Sequence, residues 1–207
     1  MSHPAALRIV GLYEDKAADW IRDRGRLLYP GDDGLDEARW LDHFVAGLPA
    51  GASILDVGCG SGWPIGAALL ERGFKVMGRD SSPALIAHAK KTLPNGDWAT
   101  GDMRADLPDG GFAGVLAWHS LFHLTPEDQV RVLPNLAARV GEGGRLMFTA
   151  GPGHGDTIGE WRGEPLYHGS LDPDAYRILL DAAGLEVEAD GAETGVWLAR
   201  RAFLSAK

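Results

Sequence analysis

The chain has a single cysteine, Cys59, so no disulfide can form within it, and nothing in its cysteine usage points to an oxidising compartment. Hydrophobic residues never run for the ~18 consecutive positions that a membrane-spanning helix needs. The N-terminus has no apolar leader run, and a soluble cytoplasmic protein with no membrane partner is the expectation. Basic residues are scarce: 20 Lys and Arg stand against 29 Asp and Glu, a formal charge of −9. No basic cluster exceeds Lys90-Lys91 or Arg200-Arg201. A nucleic-acid partner requires a basic footprint to neutralise phosphates, so none is expected. The 7 histidines include no H-E-x-x-H or comparable spacing, so no metal site is expected either.

What is present is 207 residues, 45% hydrophobic and 24% charged, the balance of one globular domain large enough for a substantial core. The most informative stretch is Asp56-Val57-Gly58-Cys59-Gly60-Ser61-Gly62-Trp63-Pro64. It follows the apolar run Ser53-Ile54-Leu55 and leads into Ile65 to Arg72, of helical composition and closed by Gly73. A strand, a glycine turn and a helix start are expected to present backbone N–H groups to a ligand. The dinucleotide fingerprint G-x-G-x-x-G does not fit, because its third glycine falls on Trp63 or Ile65 in the two possible frames. The pattern is D-x-G-x-G-x-G instead. A second acid, Asp80, follows the next apolar run and is placed to accept hydrogen bonds from ribose hydroxyls.

These residues resemble the first two motifs of the class I S-adenosylmethionine-dependent methyltransferases. Asp102-Met103 resembles the third, Leu116 to Ser120 the end of strand four, and Gly143 to Phe148 the turn and strand five. The resemblance covers roughly residues 50 to 150. It implies a doubly wound, seven-stranded Rossmann-like α/β sheet, mostly parallel with an antiparallel last strand, beneath an N-terminal helical lid. It implies S-adenosyl-L-methionine as cofactor, with Gly58 and Gly60 near its methionine part, Asp80 on the ribose, Asp102 on the adenine amino group and Met103 against the ring. Tyr13, Asp56, Cys59, Gly62, Trp63, Ser81, Trp118 and His119 complete the expected cofactor set. Cys59 reads independently as a small packed residue.

The remaining pattern suits a single domain over 1–207: a lid over 1–50, a cofactor core over 51–150, and a substrate loop with C-terminal strands over 151–207. Residues 1 to 10 are uninformative. Leu12 to Arg26 and Asp36 to Leu48 read as amphipathic helices separated by Gly31-Asp32-Asp33-Gly34. From Ser53 short strands and helices alternate. Ser82-Pro83 and Thr125-Pro126 read as N-caps with proline at the first helical position. Residues 151 to 172 break the rhythm and read as a long aromatic loop containing Trp161, Tyr167 and His168.

Methyl transfer to a small molecule at O or N is therefore expected. Transfer from a sulfonium needs in-line positioning and exclusion of water, with a base only where the nucleophile carries a proton. His119, His123 and His168 are the candidate bases, each with a plainer alternative as a hydrogen-bonded structural group. Arg162 is a candidate partner for a substrate carboxylate. Two other functions share much of the pattern: a non-catalytic S-adenosylmethionine-binding module and a nicotinamide-dependent oxidoreductase. Amino methylation of nucleic-acid bases is disfavoured, because strand four ends in Ala117-Trp118-His119-Ser120 rather than in D/N-P-P-Y/F/W. Oligomeric state is open.

Overall fold

The computed structural model describes residues 4–30 and 35–203. His3 and the expected break at Gly31-Asp32-Asp33-Gly34 lie outside the described residues.

Five strands run parallel, and those over Ser53–Val57 and Phe112–Ala117 are buried almost from end to end because helices cover each side of the sheet. The five are β1 (Ser53–Val57), β2 (Lys75–Asp80), β3 (Asp97–Thr100), β4 (Phe112–Ala117) and β5 (Val140–Thr149). All pair in parallel, and the order β3-β2-β1-β4-β5 places a change of winding direction between β1 and β4. Ligands of open α/β sheets bind beyond the carboxyl ends of strands at such a point. A hairpin, β6 (Gly155–Trp161) and β7 (Glu164–Ser170), forms a separate two-stranded sheet. The main sheet closes with β8 (Leu185–Ala189) and β9 (Val196–Arg201); β9 inserts antiparallel between β5 and β8. The seven-stranded arrangement is the one expected.

Helices α1 (Pro4–Asp15), α2 (Ala17–Arg24) and α3 (Glu37–Val45) precede the sheet. The connections within it carry α4 (Ile65–Glu71), α5 (Pro83–Thr92), α6 (Pro126–Ala137), α7 (Pro173–Ala182) and the single turn α8 (Gly191–Thr194). Local chemistry sets their starts. Asp36 accepts from the Arg39 N–H, Ser82 from that of Leu85 and Thr125 from that of Asp128, each satisfying a first-turn donor. On α3, Trp40, Leu41 and Phe44 turn inward. Each fully buried large side chain contributes about 1.5–3 kcal/mol. The Phe44 ring occupies the space above Gly114, where a Cβ would lie 2.6 Å from it.

Two sequence expectations differ from the structure. The helix read from Leu12 begins earlier, at Pro4, and is interrupted at Lys16. Ala5, Ile9 and Leu12 form its buried stripe. The long loop read over 151–172 is instead the β6–β7 hairpin after the irregular Gly151 to His154. Its turn has two residues, Arg162 (φ 54°) and Gly163 (φ 80°), between the paired Trp161 and Glu164. Positive φ at both central positions matches the twist of a tight hairpin, and Arg-Gly provides it without the usual Asn or Asp. Tyr167 of β7 is buried against Ala5 and Ile9 of α1, which folds the hairpin onto the N-terminal helices.

Candidate functional site

The carboxyl ends of β1, β2 and β4, roofed by α1, α2 and the hairpin, enclose two adjoining cavities. The first lies over β2 and the turn after β3, lined by Gly60, Asp80, Ser81, Asp102 and Met103 among others. The second lies over β1 and β4, where Asp56, Cys59, Trp63, Trp118 and His168 contribute to its wall. Tyr13, Trp20, Gly58, His119 and His123 line both, so the two cavities meet at those five residues. All the expected cofactor residues except Gly62, and the three candidate bases, therefore line one cavity or both.

Gly62 has a packing role. A Cβ there would lie 3.0 Å from the Trp98 ring and 2.8 Å from Leu93, and the same indole presses against Gly66 and Gly78. Gly58 and Gly60 are constrained from the site itself. A Cβ on Gly58 would stand 2.2 Å from the Ser120 Cβ, whose hydroxyl is tied to the Val57 carbonyl at 2.7 Å. A Cβ on Gly60 would stand 2.5 Å from the Trp20 ring of α2.

Four N–H groups of the glycine turn are paired within the chain, so those of Gly58, Cys59, Gly60 and Gly62 do not face a ligand as donors. The N–H groups of Gly58 and Cys59 both donate to the Arg79 carbonyl, and that of Gly62 to the Cys59 carbonyl. The Gly60 N–H donates to Asp80 Oδ2 at 2.8 Å. The turn folds back onto β2, and three of these four donors end on it. What faces the ligand space is acidic. Asp56 is buried, and its Oδ2 has no hydrogen-bond partner. Burial and the nearby Asp80 raise its pKa to about 7. Asp80 is also pushed upward by burial, against the Ser82 and Gly60 N–H groups that stabilise its charge. Burial likewise pushes the Cys59 thiol well up, so it is an inert packed group.

Asp102 lines the first cavity with its carboxylate engaged by Arg104, whose Nη2 lies 2.6 Å from Oδ2. That guanidinium lowers the Asp102 pKa. Ser81 and Met103 lie beside it. Trp63 donates from its indole to Thr92 Oγ1 at 3.1 Å and carries Arg26 over its ring.

The three histidines differ in circumstance. His123 is clamped: Nδ1 lies 2.9 Å from the Tyr167 carbonyl and Nε2 2.8 Å from the Tyr13 hydroxyl. A carbonyl only accepts, so Nδ1 carries the proton and Nε2 accepts from Tyr13. Burial lowers the His123 pKa to about 4, keeping the ring neutral, and burial together with Asp80 raises that of Tyr13. His168, on β7, packs 5.3 Å from the His123 ring and is also lowered by burial. His119 sits at the end of β4 with φ 49°, held by its N–H to Thr149 Oγ1 at 2.9 Å. Asn, Asp and His tolerate such a backbone better than other side chains, and it turns this imidazole into both cavities.

Glu37 is absent from the sequence reading, yet it organises this corner. It is 1% exposed and accepts from Trp118 Nε1 at 2.9 Å, from the Tyr29 N–H at 2.7 Å, and from Arg24. His119 Nε2 lies 3.9 Å from its Oε1. An acid next to an Asp36 cap looks like an ordinary dipole partner, so only the fold reveals this role. Arg162, expected near a substrate, instead pairs with Asp23 of α2 at 2.7 Å and pins the hairpin tip to the lid.

Residues 54–144 match the methyltransferase domain family. The trans-aconitate 2-methyltransferase of Variovorax paradoxus is 30% identical over 104 residues, covering 49% of this chain and 39% of that protein. The chain thus spans about two-fifths of the length of that curated relative. A TehB-like S-adenosylmethionine-dependent methyltransferase from Corynebacterium glutamicum is similar over 94% of this chain and 99% of its own, at 26% identity and a TM-score of 0.65. The amino pentose methyltransferase CalS10 of Micromonospora echinaspora shares the fold over 89% of this chain and 95% of its own, at 21% identity and TM-score 0.65. The chain thus carries a methyltransferase-domain match over residues 54–144 and is similar over nearly its whole length to an S-adenosylmethionine-dependent methyltransferase.

Proposed function

We propose that this protein transfers the methyl group of S-adenosyl-L-methionine to an oxygen or nitrogen atom of a small-molecule acceptor. The observation that carries the reading is the acidity of the cleft: a buried carboxylate oxygen of Asp56 lacks a partner, and the N–H groups of Gly58, Cys59 and Gly60 beside it are paired within the chain. A pyrophosphate needs free donors, whereas an amino group beside a sulfonium needs acceptors. That difference favours the sulfonium nucleoside over a nicotinamide dinucleotide. Asp56 would take the ammonium, Asp80 the ribose hydroxyls, and Met103 the adenine face, with Ser81 and Asp102 at the rim.

When bound, S-adenosylmethionine supplies an electrophilic methyl on an excellent leaving group. The chain's own task is to exclude water and hold the acceptor in line. Tyr13, Trp20 and the hairpin provide the enclosure. Among the histidines, His119 is placed to take a proton, because it faces both cavities and the Glu37 carboxylate stands 3.9 Å behind it. His123 is tied at both nitrogens and serves to orient Tyr13.

The test is calorimetric titration with S-adenosylmethionine, followed by detection of S-adenosylhomocysteine when acceptors are added. Cofactor binding without turnover over a broad metabolite pool would favour the non-catalytic binding module. Binding of NADH in place of the sulfonium would remove the proposal.

A further inference from the structure

Resting on the methyltransferase reading, we infer that the hairpin tip and α2 form a latch over the cleft, closed by Arg162 and Asp23, that gates exchange of the S-adenosyl cofactor. Arg162 holds φ 54° at the first central position of the two-residue hairpin turn. Gly, Asn and Asp suit that position, and a long side chain there carries a steric cost. A strained residue of this kind persists where surrounding contacts over-determine it, and such positions cluster at clamps and switches. The turn itself has no use for a guanidinium, since Asn-Gly would close the same hairpin more easily.

What the guanidinium does is cross the seam between two elements. Its Nε and Nη2 each donate to Asp23 of α2 at 2.7 Å, one to either carboxylate oxygen. Its Nη1 lies 3.6 Å from Asp19, one turn earlier on the same helix. The indole of the neighbouring Trp161 adds a third donor to Asp23 at 3.2 Å, and its ring stacks on Tyr13 with centroids 6.1 Å apart. These bonds hold the Asp23 carboxyl down at about 2, with Arg162 the chief cause. A bidentate pair with a second acid beside it is stronger than an ordinary surface ion pair, yet salt still weakens it.

The seam lies on the roof of the site. Helix α2 gives Trp20 and Arg24 to the second cavity, and β7 gives it Leu166 and His168. Arg162, Asp19 and Asp23 line neither cavity. Helix α2 is lightly held: of its 8 residues only Ala17 is buried, Lys16 interrupts the helix before it, and Gly25 (φ 67°) follows it. Its inner face leans on the body through Trp20 over Gly60 and Arg24 on Glu37. Its edge toward the hairpin is held by charge, through Asp19 and Asp23. Elements with so little apolar burial open at the low end of the stability scale. The base of the hairpin is fixed by contrast: Tyr167 packs against α1, and the Gln129 amide donates to the Gly169 carbonyl at 2.8 Å. Opening therefore parts α2 from the hairpin tip. Because the latch joins two parts of the protein without lining the cavities, it slows entry and exit alike and leaves affinity nearly unchanged.

The experiment measures association and dissociation rates of S-adenosylhomocysteine on the whole immobilised protein by surface plasmon resonance. Arg162→Asn removes the guanidinium but installs the Asn-Gly pair that tight hairpins prefer, so the turn itself is kept. Both rate constants should rise about fivefold in this variant, with Kd changed by less than about twofold. Combining Arg162→Asp with Asp23→Arg restores opposite charges across the seam and should return both rates to within about twofold of the native values. Raising NaCl from ~50 to ~500 mM should speed exchange in the native protein and leave Arg162→Asn nearly unaffected. Unchanged rates, a rise in dissociation alone, or a reversed pair as fast as Arg162→Asn would overturn the latch and leave the methyltransferase reading standing. Native rates that do not respond to salt would do the same, in an arm that needs no variant. A native protein that takes up no S-adenosylhomocysteine would remove that reading and this inference together.

Discussion

The indole N–H of Trp118, at the end of β4, donates to the carboxylate of Glu37, on the first turn of α3, across 2.9 Å of buried space. The same carboxylate accepts from Arg24 and from the Tyr29 N–H, so one side chain ties the N-terminal segment to the carboxyl end of the sheet. Glu37→Ala strands a buried indole N–H and an arginine together. Breaking one side of such a buried pair costs about 3–5 kcal/mol. Urea denaturation should show that loss in the absence of any ligand; a cost below ~1 kcal/mol would mean that water replaces the carboxylate freely.

Much of this architecture can be read from the residues, and some cannot. The strands announce themselves through short apolar runs such as Ser53-Ile54-Leu55, and the helix starts through Ser82-Pro83 and Thr125-Pro126, because both signals are local. The acids Asp56 and Asp80 are legible for the same reason. The hairpin is missed because Arg162-Gly163 is an uncommon tight turn, and because the glycines before it look like a loop. The Tyr13–His123 and Trp118–Glu37 contacts join residues 110 and 81 positions apart. No local pattern encodes such distant pairs. The pairing of the Gly58, Cys59 and Gly60 N–H groups escapes for a related reason: their acceptors, Arg79 and Asp80, belong to the next strand.

His123 should remain neutral far below the usual histidine range. Nitrogen-resolved NMR is expected to show the Nδ1-protonated tautomer, with no titration until about pH 4. Because the folded protein resists protonating this ring and the unfolded chain does not, stability falls as pH drops from about 6.5 toward 4. His123→Gln should lessen that fall. An ordinary titration near 6.5, or an Nε2-protonated ring, would undo the assignment of the Tyr13 proton.

Asp56 works in the opposite pH direction. Its folded pKa, raised to about 7, lies above the unfolded value, so its contribution to stability is present at low pH and is lost as pH rises through 7. In the ligand-free protein, Asp56→Asn should therefore be stabilising at pH 8, by about 2 kcal/mol, and nearly neutral at pH 4. Denaturation curves at the two pH values check this. A substitution that destabilises more at pH 8 than at pH 4 would show that the carboxylate is satisfied in solution.

The contact between Gly60 and Trp20 gives a separate test of the lid. Gly60→Ala adds a Cβ 2.5 Å from the Trp20 Cη2 at a residue with φ 54°. The backbone term alone costs about 1–2 kcal/mol, and the clash adds to it. In the double variant with Trp20→Ala the clash part should be recovered, giving a coupling of about 1 kcal/mol. Simple additivity would mean that α2 does not rest on the glycine turn in solution.

The central claim is that an acid-lined cleft at the ends of β1 and β2 holds a sulfonium nucleoside. Its most direct test is isothermal titration of the protein with S-adenosylhomocysteine, repeated with Asp80→Ala and with NADH as the competing ligand. The account predicts one site per chain, an affinity reduced at least about tenfold in the variant, and no heat from NADH. Saturable NADH binding with no response to S-adenosylhomocysteine would contradict it.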